Sequence, residues 1–146
     1  MHILVWVGII AGIVTAIVAV VQLVGMRKAR HSELIISLTQ VWESPSLMKA
    51  RQLANKLGDE GKLKETVDQS NKDNSETFFV LMSIPNFFDS LGAMIMKGDL
   101  PAKLARELFG APAKRYWGLY ENALTAADLK GVSRFQELGR EKSSIW

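Results

Sequence analysis

Residues 3–26 read ILVWVGIIAGIVTAIVAVVQLVGM without a charged side chain, and the basic stretch RKAR follows at residues 27–30. A helix of this length spans about 36 Å, enough to cross a hydrocarbon core of about 30 Å with some tilt. Backbone polar groups in lipid must bond to one another, so the segment is predicted to be a transmembrane helix. Its apolar core is too long for a cleaved signal peptide, and almost no N-terminal residues precede it, so we predict an uncleaved anchor.

The basic cluster after the apolar stretch predicts the topology of the chain. Arg27, Lys28 and Arg30 stand at the end of the span, where such residues stay on the cytoplasmic side of a membrane. We therefore expect a membrane protein with its N-terminus outside and the residues after the anchor in the cytoplasm. The same three side chains would meet anionic lipid headgroups. The predicted division is a transmembrane anchor with its basic flank over 1–30 and a cytoplasmic helical domain over 31–146.

The anchor also carries a stripe of small and polar residues. At 100° per residue they fall within an arc of about 100°. They are Gly8, Ala11, Gly12, Thr15, Ala19 and Gln22. Small residues let a second helix approach closely, and polar side chains can hydrogen-bond across such a contact. We predict that the stripe is a transmembrane helix interface to other membrane protein subunits. Two alternatives stay open: a chance distribution of residues common in membrane helices, and a Gln22 side chain that reaches the headgroups.

The composition of the remaining chain excludes several functions. All 18 Lys and Arg residues and all 15 Asp and Glu residues follow the anchor. Without the three basic residues at 27–30, the chain has 15 basic and 15 acidic side chains. This balance predicts no nucleic-acid partner, because such binding needs a basic face. The chain has no cysteine, so disulfides, thiolate metal sites and cysteine nucleophiles are excluded.

Hydrophobic periodicity predicts an all-α fold: a single N-terminal transmembrane helix followed by a small cytoplasmic helical bundle. Apolar residues recur at spacings of three or four, and no stretch alternates as a strand does. Ser44-Pro45 is an N-cap followed by proline at the first helical position. The predicted cytoplasmic helices cover 32–43, 45–57, 76 to a turn at 98–101, 102–109 and 113–123, with one more around Phe135 and Leu138.

Prolines, glycines and polar runs predict where these helices end. Pro85 is expected to kink or break the most apolar helix, and Gly110 with Pro112 is expected to separate two helices. Residues 58–75 are polar and are predicted to be a mobile loop with a short helical turn around 63–67.

Several aromatic and glycine motifs in the domain resemble a known family. They are Val41-Trp42-Glu43-Ser44 followed by Ala50-Arg51, then Asn86-Phe87-Phe88-Asp89-Ser90-Leu91-Gly92, Lys97-Gly98-Asp99-Leu100, Leu108-Phe109-Gly110 and Tyr116-Trp117-Gly118-Leu119-Tyr120. Together with the anchor they resemble a bacterial membrane-anchored family, the domain of unknown function numbered 4760, over roughly residues 1–140. The resemblance implies a helical architecture, and it implies no activity, cofactor or substrate.

No catalytic, cofactor-binding or metal-binding residue is predicted. His2 and His31 lie on opposite sides of the predicted membrane, so they cannot share a metal ion. No phosphate-binding loop, nucleophile elbow, zinc motif or dinucleotide fingerprint occurs. Asp89 is either a buried acid with a raised pKa, a polar-face residue, or a partner of Arg51 or Arg106. Glu43 and Arg51 are expected to pair between helices, and the aromatic residues are expected to form the core.

Two classes of function fit this sequence, and neither is enzymatic. The first is a non-catalytic accessory or structural subunit of a larger inner-membrane complex, such as a respiratory or photosynthetic one. Such a subunit would dock through its transmembrane helix and cap the cytoplasmic face. The alternative is a membrane-tethered signalling or defence module whose helical domain binds a regulator, with residues 58–75 as the candidate contact.

Overall fold

The computed structural model describes the backbone of residues 2–140 and 143–146. It describes the side chains of the same residues except 2–14, 16 and 127. The described residues form seven helices and no strand, which confirms the all-α prediction. The helices are α1 (His2–Trp42), α2 (Pro45–Asp59), α3 (Leu63–Lys72), α4 (Glu76–Met96), α5 (Ala102–Tyr120), α6 (Ala126–Gly131) and α7 (Ser133–Gly139). The chain divides into two compact units, Met1–Ser37 and Leu38–Trp146.

Helix α4 is the central helix of the second unit. It packs against α2, α3, α5 and α7, and four of its large side chains, Leu81, Ile84, Phe88 and Leu91, are fully buried. Among the residues whose side chains the structure describes, which leave out 2–14 and 16 of α1, α4 is the one helix long and apolar enough to cross a membrane, with a mean hydropathy of 1.5. Half of that apolar stretch is buried inside the protein, so its apolarity serves the core of the unit.

Pro85 lies inside α4, and the helix is continuous through it, so of the two predicted outcomes the break is wrong and the kink stays a prediction. Proline has no N–H, so the carbonyl of Leu81, four residues earlier, lacks its helical donor. The Tyr120 hydroxyl, at the end of α5, donates to this carbonyl at 2.7 Å. Burial raises the pKa of Tyr120, with a smaller contribution from Tyr116, so the hydroxyl stays protonated and able to donate.

The polar segment between α2 and α4 is helical, so the predicted loop over 58–75 is wrong for most of its length. Helix α3 buries Leu63, Val67 and Ser70, which stand four and three residues apart and therefore share one face of a helix. The other side chains of α3 are exposed or half-buried and polar. The segment was predicted to be a loop because its composition is polar, and its buried face is only three residues wide.

Helix α5 is also longer than predicted, since it runs without interruption from Ala102 to Tyr120 through Gly110 and Pro112. Pro112 removes the donor for the carbonyl of Leu108. Leu108 is 44 % exposed, so the missing bond lies on the solvent side of the helix, where an unpaired carbonyl costs less than in the core. The predicted separation into two helices is therefore wrong.

The start of α2 and the turn before α5 follow the sequence closely. The Ser44 side chain accepts a hydrogen bond from the N–H of Leu47, and Pro45 is the first helical residue. Gly98 has φ +77° in the turn before α5, a conformation that glycine adopts without steric cost. Helix α2 extends two residues past its predicted end at Leu57, to Asp59. A Cβ at Gly58 would lie 2.8 Å from a side-chain carbon of Leu119 in α5, so the glycine lets the two helices approach closely.

Candidate site around Trp42 and Arg51

Trp42, the last residue of α1, packs among aromatic rings of the second unit. It is 8 % exposed, and its ring centroid lies 5.1 Å from that of Phe87, 5.3 Å from Phe88 and 5.9 Å from Tyr116. The rings are tilted or edge-on, as aromatic pairs prefer. This packing gives the site a rigid apolar floor.

Arg51 of α2 lies over this floor. Its guanidinium carbon is 4.5 Å from the Trp42 ring centroid, within the range of a cation–π interaction. Its side chain is 20 % exposed, and its Nη2 atom lies 3.7 Å from a carboxylate oxygen of Glu43, a residue that is 58 % exposed. The predicted Glu43–Arg51 pair is confirmed, but the distance is too long for a hydrogen bond, so the pair is loose.

A chain of polar side chains continues the site from α2 to α5. Asn55 stands one turn after Arg51, and its Oδ1 atom accepts from Nη2 of Arg115 at 3.3 Å. The Asn55 amide group donates to the Tyr116 hydroxyl at 3.4 Å. Since the Tyr116 oxygen accepts this bond, its own proton remains to be donated, and no acceptor for it lies among the described residues.

The two helices that form the site hold an excess of positive charge. Helix α2 has three basic side chains and one acidic one, and α5 has four basic and one acidic. Their net charge is therefore +5, while residues 31–146 as a whole carry 15 charges of each sign. The site around Trp42 and Arg51 thus lies on the basic helices of a neutral domain, which the overall charge balance does not reveal.

Asp89 holds α7 in place and does not pair with Arg51 or Arg106, so those two predicted partners are wrong. Its carboxylate accepts from the backbone N–H of Arg134 at 2.8 Å and from Nη1 of Arg134 at 3.0 Å. Gly92, nearly one turn on, lets α7 approach closely, because a Cβ there would lie 2.8 Å from the Cβ of Arg134. The Asp89–Gly92 motif therefore has a structural role.

The segment after α7 folds back on that helix. The backbone N–H and the hydroxyl of Ser144 both donate to Glu137, at 2.8 and 3.1 Å. The Trp146 indole N–H donates to the carbonyl of Leu138 at 2.9 Å, near the end of the helix. The Ser144 N–H lowers the pKa of Glu137, with smaller contributions from the Ser144 hydroxyl and Arg140.

Acidification is expected to release this segment from α7. Because the pKa of Glu137 is lower in the folded chain than its ordinary value of 4.5, the contact contributes stability above that value and loses it as the pH falls through the folded pKa. The NMR signals of the Ser144 amide and the Trp146 indole should therefore shift as the pH is lowered beyond 4.5. In Glu137→Gln this titration should disappear, and an unchanged wild-type spectrum in acid would contradict the assignment.

The residues of the predicted helix interface all belong to α1. The side chains of Gly8, Ala11 and Gly12 lie outside the described residues, and Thr15, Ala19 and Gln22 are exposed. The side chains of the basic cluster are exposed as well. Within the described part of the chain, no three His, Asp or Glu side chains converge as metal ligands would.

Fold and site together define an all-helical protein with a basic, aromatic-floored site in its second unit. The chain belongs to the family of the domain of unknown function DUF4760, whose model matches residues 9–135, which confirms the resemblance seen in the motifs. The match includes every residue of the site around Trp42 and Arg51. No curated protein and no solved structure matches the chain.

Proposed function

We propose that the protein is a single-pass, non-catalytic subunit of a larger assembly in the bacterial inner membrane. Its N-terminus would lie outside, its helical domain would lie in the cytoplasm, and α1 would dock against helices of other subunits. The host assembly would be of the respiratory or photosynthetic kind. The exposure of apolar side chains along α1 carries the proposal.

Every large apolar side chain described between Ile17 and Met26 is about half exposed or more. Ile17 is 58 % exposed, Val21 is 65 % and Met26 is 69 %. At 100° per residue these side chains point in all directions around the helix. A single protein partner covers one face of a helix, whereas lipid covers all of them, so this surface fits a bilayer. The basic cluster that begins at Arg27 fits the cytoplasmic end of such a span.

Two acidic side chains of the second unit are engaged in holding the fold, which fits the proposed non-catalytic role. The Asp89 carboxylate binds the start of α7, and Glu137 binds Ser144. An acid that acts in catalysis must reach a substrate proton, and these two are engaged in holding the fold.

Substitutions in the stripe are expected to disrupt docking. Gly8→Leu and Gly12→Leu add bulk where a second helix would approach, so each should sharply reduce the amount of partner that co-purifies with the intact protein in mild detergent. Mass spectrometry of the purified material measures this loss. Val24→Leu adds apolar bulk on the opposite face of α1 and serves as the matched control.

A stoichiometric set of membrane proteins that co-purifies with wild type and is lost in the glycine variants would support the proposal and identify the host. Unchanged co-purification in both glycine variants would contradict the docking role of the stripe. Protease accessibility of residues 27–30 from the outer side of the membrane would contradict the topology.

A second candidate function is a membrane-tethered module that binds a regulator. An open polar groove of about 470 Å³ beside α3 favours it, with Lys62, Glu65, Gln69 and Asp73 among its lining residues. Recovery of the wild-type protein alone, or as a homodimer, in the same purification would favour this module over the subunit.

A further inference from the structure

We infer that the site around Trp42 and Arg51 binds carboxylate side chains from an acidic segment of a partner polypeptide. This inference deepens the proposed function and rests on it for the nature of the partner, a subunit of the same membrane assembly. The inference assigns to the helical domain a second contact, separate from that of α1.

The donors of the site are arranged for an anion. The Arg51 guanidinium carbon lies 4.5 Å from the Trp42 ring centroid, and the group has five N–H donors, more than its loose contact with Glu43 uses. Arg115 uses Nη2 on Asn55, which leaves further N–H groups of a rigid fork. Tyr116 is 5 % exposed and has a hydroxyl proton to donate. Asn55 links Arg115 to Tyr116, and Arg51 stands one turn before it on α2.

The chain itself shows which anion the site attracts. The Glu43 carboxylate lies 3.7 Å from Arg51, so a carboxylate already occupies the edge of the site at a distance that makes no hydrogen bond. Glu43 is 58 % exposed and can swing away at little cost, because exposed ion pairs contribute only about 0–1 kcal/mol. A carboxylate from a partner can replace it and bond to the Arg51 guanidinium in the bidentate manner that arginine favours.

Charge complementarity extends beyond the site itself. Helices α2 and α5 carry a net charge of +5, which attracts a segment with several acidic residues and speeds its association. A segment with several carboxylates gains from this long-range attraction, whereas direct bonds form only where a carboxylate reaches Arg51 or Arg115.

The test uses the full-length protein in neutral phosphatidylcholine nanodiscs and a fluorescein-labelled hexaglutamate peptide, with binding measured by fluorescence anisotropy at low salt. Arg51→Gln and Arg115→Gln are each expected to weaken binding about tenfold, because each removes a charge-assisted hydrogen-bond donor to a carboxylate. Lys103→Gln makes the same charge change on α5, about 18 Å along the helix from Arg115, and should weaken binding less than about twofold.

Glu43→Gln gives the result that a purely structural role would not produce. It removes the internal competitor, so it should tighten hexaglutamate binding about two- to fivefold. Arg115 is exposed, so its variant keeps the test valid even if Arg51→Gln fails to fold. Equal losses in Arg115→Gln and Lys103→Gln would overturn the inference, since they would mean diffuse attraction. Displacement of the peptide by inorganic phosphate more readily than by acetate would overturn it in favour of a phosphate ligand, and so would tighter binding to phosphatidylglycerol vesicles.

Failure of this inference and failure of the proposed function are distinguishable. If Gly12→Leu abolishes co-purification of membrane subunits while Arg115→Gln changes neither co-purification nor peptide binding, the subunit role stands and the carboxylate site fails. If hexaglutamate binding depends on Arg115 but no membrane protein co-purifies with wild type, the site stands and the subunit role fails.

Discussion

Gly139→Ala is expected to lower the free energy of unfolding by about 2–3 kcal/mol, the upper part of the range for overpacking a core. Gly139 is buried at the end of α7, and a Cβ there would overlap the side chain of Trp117 on α5. Trp117 also packs edge-on against the fully buried Phe135, so it cannot move aside without disturbing the core. Denaturant unfolding of the full chain in mild detergent measures the change.

Gly118→Ala is the matched control for this substitution. Gly118 is exposed inside α5, next to Trp117, and a Cβ there would meet nothing within 4 Å. Removing a helical glycine from such a position should raise the free energy of unfolding by about 0.5–1 kcal/mol. Replacing glycine by alanine should therefore lower the free energy of unfolding at position 139 and raise it at position 118. Equal values for the two variants would contradict the close approach of α7 to Trp117.

Tyr120→Phe is expected to lower the free energy of unfolding by about 1–3 kcal/mol, because it leaves the buried Leu81 carbonyl without a donor. Pro85→Ala should reverse part of this loss, since alanine at position 85 supplies the helical N–H that proline lacks. The gain should be larger by about 1 kcal/mol in the Tyr120→Phe background than in wild type. The effect of Pro85→Ala is compared between the two backgrounds, so the free energy lost with the buried proline ring, which is the same in both, drops out of the difference. Strictly additive effects would show that the hydroxyl does not substitute for the missing N–H.

Features set by neighbouring residues could be predicted from the sequence. The Ser44-Pro45 start of α2 and the Gly98 turn each depend on a few consecutive residues. The apolar spacing from Leu81 to Ile95 predicted α4 as the most apolar helix, because the same period that makes a helix also places its buried face.

Features that depend on distant residues could not be predicted. Arg134 is 45 residues from Asp89, and many arginines in the chain could have been its partner. Asn55 is 60 and 61 residues from Arg115 and Tyr116, so the linked donors of the site around Trp42 and Arg51 exist only once α2 and α5 pack together. The Glu43–Arg51 pair could be predicted because the two residues are close in sequence, on either side of the boundary between α1 and α2.

Helix α3 and the continuity of α5 show a different limit. In α3 only three of ten residues are buried. The polar composition of the segment therefore led to the prediction of a loop, although its buried residues have the spacing of a helix. At Pro112 the cost of the missing bond depends on whether the Leu108 carbonyl can reach solvent, which the identity of the residue does not show.

The bond between Tyr120 and Leu81 also sets the register of α4 against α5. Apolar contacts have no direction, so two helices faced with Leu and Phe could slide along each other and still bury similar area. A slip of one turn, about 5.4 Å, would carry the hydroxyl away from the carbonyl and leave both groups buried without partners. Of all the axial alignments that the apolar faces allow, this single polar contact therefore favours one.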